Sequence, residues 1–85
     1  MKHHASPDFW ACFKGLPDHA QELAKKNFKL LKENPSHPSL HFKNVGDFVS
    51  VRIGIAHRAL GIKVSDGVLW FWVGSHADYD RVIGD

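Results

Sequence analysis

The sequence has few of the residues that build cross-links, membrane spans or metal centres. Cys12 is the only cysteine, so no disulfide can form within the chain, and a reducing, cytoplasmic location is expected. No apolar run approaches the roughly 20 residues that a bilayer span requires, so no membrane partner is expected. The seven histidines lack paired cysteines or helical ligand pairs, and no glycine-rich phosphate loop is present. We therefore predict neither a metal nor a cofactor.

Net charge is also small, but it is unevenly distributed. The formal charge is +2 at pH 7, and acidic residues are concentrated near the end of the chain. A basic centre can attract a nucleic-acid backbone, although lysines on a helix often only solvate one face. The charge pattern therefore leaves a nucleic-acid partner open. The basic residues of the central region include Lys25, Lys26, Lys29, Lys32 and Lys43.

The local signals predict a single α+β domain over residues 1–85. Ser6-Pro7-Asp8 predicts the start of a first helix that runs to about Lys14. Asp18 is predicted to cap a second helix, with Gln21 three residues on. A short connection between the two helices predicts an N-terminal helical hairpin. We expect it to pack on a small antiparallel sheet of three to four strands, followed by a short C-terminal helix.

From Leu40 onward, the apolar residues recur with a period of two, which is typical of strands. Ser50 and Arg52 are predicted to share one face of a central strand, and the helical hairpin is expected to cover the other face. The covered face is predicted to carry Val49, Val51, Ile53 and Ile55.

The last predicted strand is strongly aromatic. Asp66-Gly67 predicts a tight hairpin turn before it, and Ser75 is predicted to cap the helix that follows it. Strict alternation places Trp70 and Trp72 together on one face of this strand, either stacking bases or, more commonly, packing in a core or against a partner.

Four residues form a candidate catalytic group. His76 and Tyr79 lie three positions apart, on the same face of the last helix. Imidazole is suited to proton transfer near neutral pH, and a phenol can orient a phosphate. Arg52 and Arg58 each offer a planar fork for phosphate. Together, these side chains are able to act on a phosphodiester.

Each of these residues also has a purely structural interpretation. His76 and Tyr79 can simply anchor a short helix to the sheet. Arg52 and Arg58 can instead pair with carboxylates near the end of the chain, such as Asp78 or Asp80. The residues alone leave both interpretations open. Lys43 and His57 are weaker candidates, predicted as nucleic-acid contacts.

The order and spacing of several segments resemble the RelE/ParE toxin superfamily, and most closely its ParE-like branch. The resemblance implies the toxin of a type II toxin–antitoxin module, which inhibits growth until a cognate antitoxin binds it. It extends over nearly the whole chain from Phe9. The segments that carry it are Leu16–Pro17, Asn34–Leu40, Val51–Gly54, His57–Leu60 and Trp70–Asp80.

The resemblance implies two different activities. RelE-like members cleave messenger RNA on the ribosome without a metal, by attack of the 2′-hydroxyl on the adjacent phosphate. ParE-like members inhibit DNA gyrase and cut no RNA. Arg58 matches the arginine of a family strand motif, and Arg52 loosely matches a basic strand position. His76 and Tyr79 fall where ribonuclease members keep acid–base and aromatic residues. We predict a metal-independent mRNA endoribonuclease, with a gyrase inhibitor or a member that only binds its antitoxin as alternatives.

Two departures from the family pattern bear on these expectations. The first strand has almost no room before Pro7 and is expected to be shortened or lost. Residues 49–51 are Val-Ser-Val where ribosome-cutting members often carry lysines, which keeps the gyrase alternative open. An antitoxin-binding protein of this size should also expose an apolar groove, for which Trp10, Trp70 and Trp72 are candidates.

Overall fold

The computed structural model describes residues 1–84, which form three helices and one five-stranded sheet. None of the helices in this part of the chain is long and apolar enough to cross a membrane. A 3₁₀ turn at Pro38–Leu40 follows the second helix. In chain order the elements are β1 (Lys2–Ala5), α1 (Pro7–Lys14), α2 (Asp18–Glu33), β2 (Lys43–Val45), β3 (Phe48–Ile53), β4 (His57–Val64), β5 (Gly67–Ser75) and α3 (His76–Val82).

The strand order is β1-β5-β4-β3-β2. β1 pairs in parallel with β5, and the other neighbours are antiparallel. The α+β class is confirmed, but the sheet has five strands and one parallel edge instead of three to four antiparallel strands. The first strand is shortened to four residues and is not lost. Gly67 allows it to approach, because a β-carbon there would collide with the backbone of Lys2.

The helix starts follow the sequence signals at two of three places. The hydroxyls of Ser6 and Ser75 accept hydrogen bonds from backbone N–H groups at the starts of α1 and α3. The prediction that Asp18 caps α2 is wrong, because Asp18 is the first helical residue and no side chain caps this helix. Gln21 instead donates its amide to two carbonyls at the α1–α2 connection. This residue therefore ties the two helices together and does not complete a capping box.

The core lies between the helices and one face of the sheet. Val49, Val51 and Ile53 are buried there, as predicted. The expectation for Ile55 is wrong, since its side chain is 79% exposed. β3 ends at Ile53, and Gly54 then adopts a φ of 61°, which turns the chain away from the strand direction. The alternation therefore stops one step before Ile55.

A bulge in β5 separates the two tryptophans that strict alternation placed together. Leu60 pairs with Trp72, whereas Gly61 pairs with Trp70, so Phe71 is an extra residue in β5. A shift of one residue moves the following side chains to the opposite face. Trp70 is therefore in the core, 4% exposed, while Trp72 lies on the other face. The prediction that they share a face is wrong.

Candidate active site

The face of the sheet that α1 and α2 leave uncovered, here called the open face, contains a polar cleft of about 380 Å³. All four residues of the predicted catalytic group line it, and so does Lys43. They come from β2, β3, β4 and α3, so tertiary packing brings them together. Five further residues line the cleft: His41, Val45, Ser50, Asp80 and Ile83.

The two arginines face each other across adjacent strands. Arg52 on β3 is the direct cross-strand partner of Arg58 on β4. Arg52 Nε donates to the carbonyl of Gly54 at 3.1 Å. Arg58 Nη1 donates to the carbonyls of Gly54, Ile55 and His57 at 3.3, 3.4 and 2.7 Å. The β3–β4 turn therefore holds both guanidinium groups in place before any ligand binds.

The arginine pair carries positive charge that no ion pair within residues 1–84 neutralises. Burial lowers the pKa of Arg58, and the neighbouring charge of Arg52 acts in the same direction, whereas the carboxylate of Asp80 acts in the opposite direction. Within residues 1–84, neither arginine forms an ion pair with a carboxylate; Asp78 pairs with Arg81 at 3.1 Å instead. Two like charges held side by side in this way favour an anion between them.

Helix α3 places an imidazole at the edge of this charged region. The backbone N–H of His76 donates to the carbonyl of Ala56 at 2.8 Å, which ties the start of α3 to the β3–β4 turn. His76 Nδ1 lies 3.6 Å from a carboxylate oxygen of Asp80. The His76 ring also meets the ring of Tyr79 edge to face, with 6.1 Å between centroids. Tyr79 is anchored in turn against Trp72, so His76 has a defined place while its side chain remains half exposed.

His41 is a cleft residue that the sequence prediction did not select. It follows the 3₁₀ turn with φ 45° and ψ 44°, and it is the only non-glycine residue with positive φ among residues 1–84. This left-handed conformation costs an L-residue roughly 1–2 kcal/mol. His41 lies between the 3₁₀ turn and β2, outside any strand, so the alternation of strand residues does not predict the direction of its side chain.

His57, predicted as a nucleic-acid contact, is not among the residues that line the cleft. It pairs with Ile53, and its ring lies 6.5 Å from that of His19 on α2. Burial lowers the pKa of His57, with smaller contributions from the charges of His19 and Arg58. His57 is therefore on the helix-covered side of the sheet, apart from the other candidates.

The helix-covered side contains a second depression, an apolar groove of about 340 Å³ between β1, α1 and α2. Trp10 and Phe28 line it and are 50% and 41% exposed, and Trp70 forms part of its floor. Trp72 does not line it, because the bulge turns this residue to the open face. The structure thus has the apolar groove predicted from the sequence, and two of the three candidate tryptophans line it.

The cleft combines groups that are suited to anion chemistry. It offers two fixed cations, two imidazoles, a phenol and one lysine within one cavity. Over residues 1–84, no group of three histidine, cysteine or acidic side chains is arranged to hold a metal ion. The groups that the cleft does contain are those that bind a phosphodiester and move protons around it.

Comparison with known proteins identifies the fold. No protein-family model and no curated protein matches the sequence. The structure is similar to a chain of the RelB–RelE antitoxin–toxin complex from Methanococcus jannaschii, with a TM-score of 0.71, 17% identity, and coverage of 92% of this chain and 96% of that one. The isolated RelE toxin of Escherichia coli matches with a TM-score of 0.62, 14% identity, and coverage of 94% and 93%. A copper-bound mutant toxin from Helicobacter pylori matches with a TM-score of 0.64, 18% identity, and coverage of 92% and 97%.

These matches cover nearly the full length of the chains on both sides. The protein has the fold of the RelE toxins, and the resemblance seen in the sequence is confirmed at that level. At identities this low the likeness establishes the fold alone, and a shared fold does not determine the chemistry of a site.

Proposed function

We propose that this protein is the toxin of a type II toxin–antitoxin module and acts as a metal-independent endoribonuclease on ribosome-bound messenger RNA. The observation that carries the proposal is the meeting of Arg52, Arg58, His76 and Tyr79 in one cleft on the open face. The RelE-like fold supports the toxin class, and the cleft supports phosphodiester cleavage over binding alone.

The arginine pair is the group that stabilises charge. When a 2′-hydroxyl attacks the adjacent phosphate, a second negative charge develops on the phosphoryl oxygens. Arg52 and Arg58 stand side by side, and backbone carbonyls already orient their guanidinium groups. Donors oriented in advance stabilise developing charge without reorganising during the reaction, and losing one such donor typically costs about 10²–10³-fold in rate.

His76 supplies proton transfer. The carboxylate of Asp80 lies on the Nδ1 side of the imidazole, 3.6 Å away, which favours a proton on Nδ1 and leaves Nε2 for the substrate. The ring of Tyr79 meets the imidazole edge to face, with 6.1 Å between the ring centroids. In this arrangement Tyr79 orients His76 and the phosphate, and His76 exchanges a proton with the reacting oxygen.

The apolar groove supports the second half of the proposal, a cognate antitoxin. RelB and RelE of Methanococcus jannaschii form an antitoxin–toxin complex. Trp10 and Phe28 leave large aromatic surfaces exposed beside a groove whose floor is core. An antitoxin segment laid into the groove would bury these rings, as amphipathic helices do in other grooves.

The proposal is tested with His76→Gln, because an acid–base group typically contributes 10²–10⁴-fold to rate. The wild-type protein should cleave the message of programmed ribosomes in the presence of a chelator. The variant should lose roughly 10²–10⁴-fold of that rate and should no longer arrest growth. Its melting temperature should be unchanged, since the side chain is half exposed and fills no core space. His19→Gln, which removes an exposed imidazole on the other side of the sheet, is the matched control and should behave as wild type.

The gyrase-inhibiting alternative is tested in cells that express the wild-type protein or His76→Gln, by measuring message cleavage and DNA supercoiling separately. Lys43 is the only lysine in the cleft, which is sparse for a site that holds RNA on a ribosome. If the wild-type protein leaves message intact, and His76→Gln remains fully toxic while supercoiling falls, the ribonuclease proposal is wrong and the gyrase alternative takes its place.

A further inference from the structure

The fold presents a second imidazole, His41, to the same cleft as His76. Leu40 is 0% exposed, and Phe42 packs against the core tryptophan Trp70 with 6.3 Å between ring centroids. These two anchors secure the chain on both sides of His41. The backbone N–H of His41 also donates to the carbonyl of Pro38 at 3.3 Å. The direction of the His41 side chain is therefore set by the backbone.

The backbone of His41 is also in a conformation that favours another residue type. A φ of 45° suits glycine or asparagine better than histidine. An unfavourable conformation that the surrounding structure enforces often occurs at a functional site. His41 lines the cleft, so this unfavourable conformation indicates that the imidazole has a function there.

The two imidazoles of the cleft face neighbours of opposite charge. His41 Nε2 lies 3.4 Å from Arg52 Nη1. A guanidinium can only donate, so Nε2 presents a lone pair toward the arginines. His76 Nδ1 instead lies 3.6 Å from Asp80, whose ionised carboxylate can only accept. One imidazole is thus arranged to take a proton and the other to carry one.

We propose that His41 is the general base and His76 the general acid of the cleavage reaction, an assignment that rests on the proposed ribonuclease function. His41 takes the proton of the 2′-hydroxyl as the O2′–P bond forms. The P–O5′ bond breaks, and His76 protonates the departing 5′-oxygen. The products are a 2′,3′-cyclic phosphate and a 5′-hydroxyl, so no further reactant is needed. The charged and titratable side chains that line this cleft around His41 are Lys43 on β2, Arg52 on β3, Arg58 on β4, and His76, Tyr79 and Asp80 on α3.

The pH dependence of cleavage tests the pair. One imidazole must be neutral and the other protonated, so the single-turnover rate on programmed ribosomes should rise and then fall as the pH increases. His41→Gln should slow cleavage roughly 10²–10⁴-fold and remove the rise on the acid side. His76→Gln should remove the fall on the alkaline side. A residue that only shapes the cleft would lower the whole profile without removing one limb.

Two further measurements separate base from acid. A message with sulfur in place of the bridging 5′-oxygen releases a thiolate that needs no proton. His76→Gln should regain most of its rate on this message, whereas His41→Gln should not. His41→Gly accepts the positive φ without strain, and added imidazole should restore part of its rate. Asparagine also tolerates this conformation, so His41→Asn should fold normally. Slow cleavage by a folded His41→Asn protein would show that the lost rate comes from the missing imidazole and not from a disturbed backbone.

The outcomes distinguish this assignment from the function on which it rests. If the wild-type protein leaves message uncut, the proposed function fails and the assignment fails with it. If the wild type cuts while His41→Gln keeps its rate and both limbs of its profile, only the assignment of His41 is overturned. If the sulfur-containing message rescues His41→Gln and not His76→Gln, the two roles are reversed from those proposed.

Discussion

The two faces of the sheet carry depressions of similar size and opposite character. The groove under the helices encloses about 340 Å³ and is lined mainly by aromatic and aliphatic side chains, together with His3, His4, Lys25 and Asn27. The cleft on the open face encloses about 380 Å³ and is lined by arginines, histidines and a carboxylate. The groove suits an apolar protein segment, and the cleft suits a phosphodiester. One thin sheet therefore separates the proposed antitoxin surface from the proposed catalytic surface.

Neighbouring residues of β3 show how the two faces divide stability from chemistry. Val51 is 6% exposed in the core, whereas Arg52, next along the chain, lines the cleft. Successive side chains of a strand point to opposite faces, so a single strand serves both regions. A substitution on one face should therefore leave the property of the other face largely intact.

The largest expected effect is on stability, from Leu31→Ala on the helix-covered face. Leu31 is 2% exposed in the core, and removing a buried leucine side chain typically costs about 2–5 kcal/mol. Chemical denaturation should show this loss, while the cleavage rate per folded molecule stays at the wild-type value. Lys29→Ala on the exposed side of α2 is the control and should change stability little. A Leu31→Ala protein that is stable but slow would contradict the separation of the two faces.

Arg52→Ala on the open face should have the opposite effect: the cleavage rate should fall while stability changes little. The loss of one charge-stabilising donor should slow cleavage by roughly 10²–10³-fold, or about 2.7–4 kcal/mol. Stability should fall by no more than about 1.5 kcal/mol, the usual contribution of a hydrogen bond such as that to Gly54. Arg81→Ala removes an exposed arginine that does not line the cleft, and its rate should match the wild type. Equal losses in both variants would mean that net charge, and not the arginine pair, supports activity.

The smallest expected effect is a pH dependence of folding stability, which arises from histidines on the helix-covered face. Burial, helped by positive neighbours such as Lys32, holds the pKa of His3 below its ordinary value of 6.5. Trp70 Nε1 donates to His3 Nδ1 at 3.1 Å, so the bond needs that nitrogen to be unprotonated. Below about pH 6.5 the unfolded chain binds this proton more readily than the folded one, so stability should fall as pH falls. His57, whose pKa is also lowered, adds in the same direction.

Denaturation of the wild type and of His3→Gln between about pH 5 and 8 checks this dependence. The variant should show a flatter profile, and the indole N–H resonance of Trp70 should shift with pH only in the wild type. His4→Gln, which changes the neighbouring residue of β1 outside the Trp70 contact, is the control and should keep the indole shift. An identical slope in His3→Gln and the wild type would exclude His3 as the source.

Local sequence signals were sufficient for the class of the fold and for half of the ten residues that line the cleft. Ser6 and Ser75 cap their helices through a hydrogen bond to the backbone N–H three residues later. Because this bond involves only neighbouring residues, the local sequence is enough to predict it. The period of two placed Arg52 opposite the core for the same local reason. His76 and Tyr79 share a helix face by their spacing alone. The four predicted catalytic residues could therefore be selected from the sequence, and their roles remain a proposal.

The tertiary structure decided the features that depend on pairing between distant segments. The bulge that separates Trp70 from Trp72 exists because β5 pairs with β4 in two registers, which no alternation within β5 reveals. β1 forms because a distant strand edge accepts four residues that have little strand signal of their own. His41 became a candidate only when the burial of its neighbours set its direction and β3 placed Arg52 beside it. Local geometry depends on the few residues that make it, whereas register and cleft assembly depend on the free energy of the whole packed sheet.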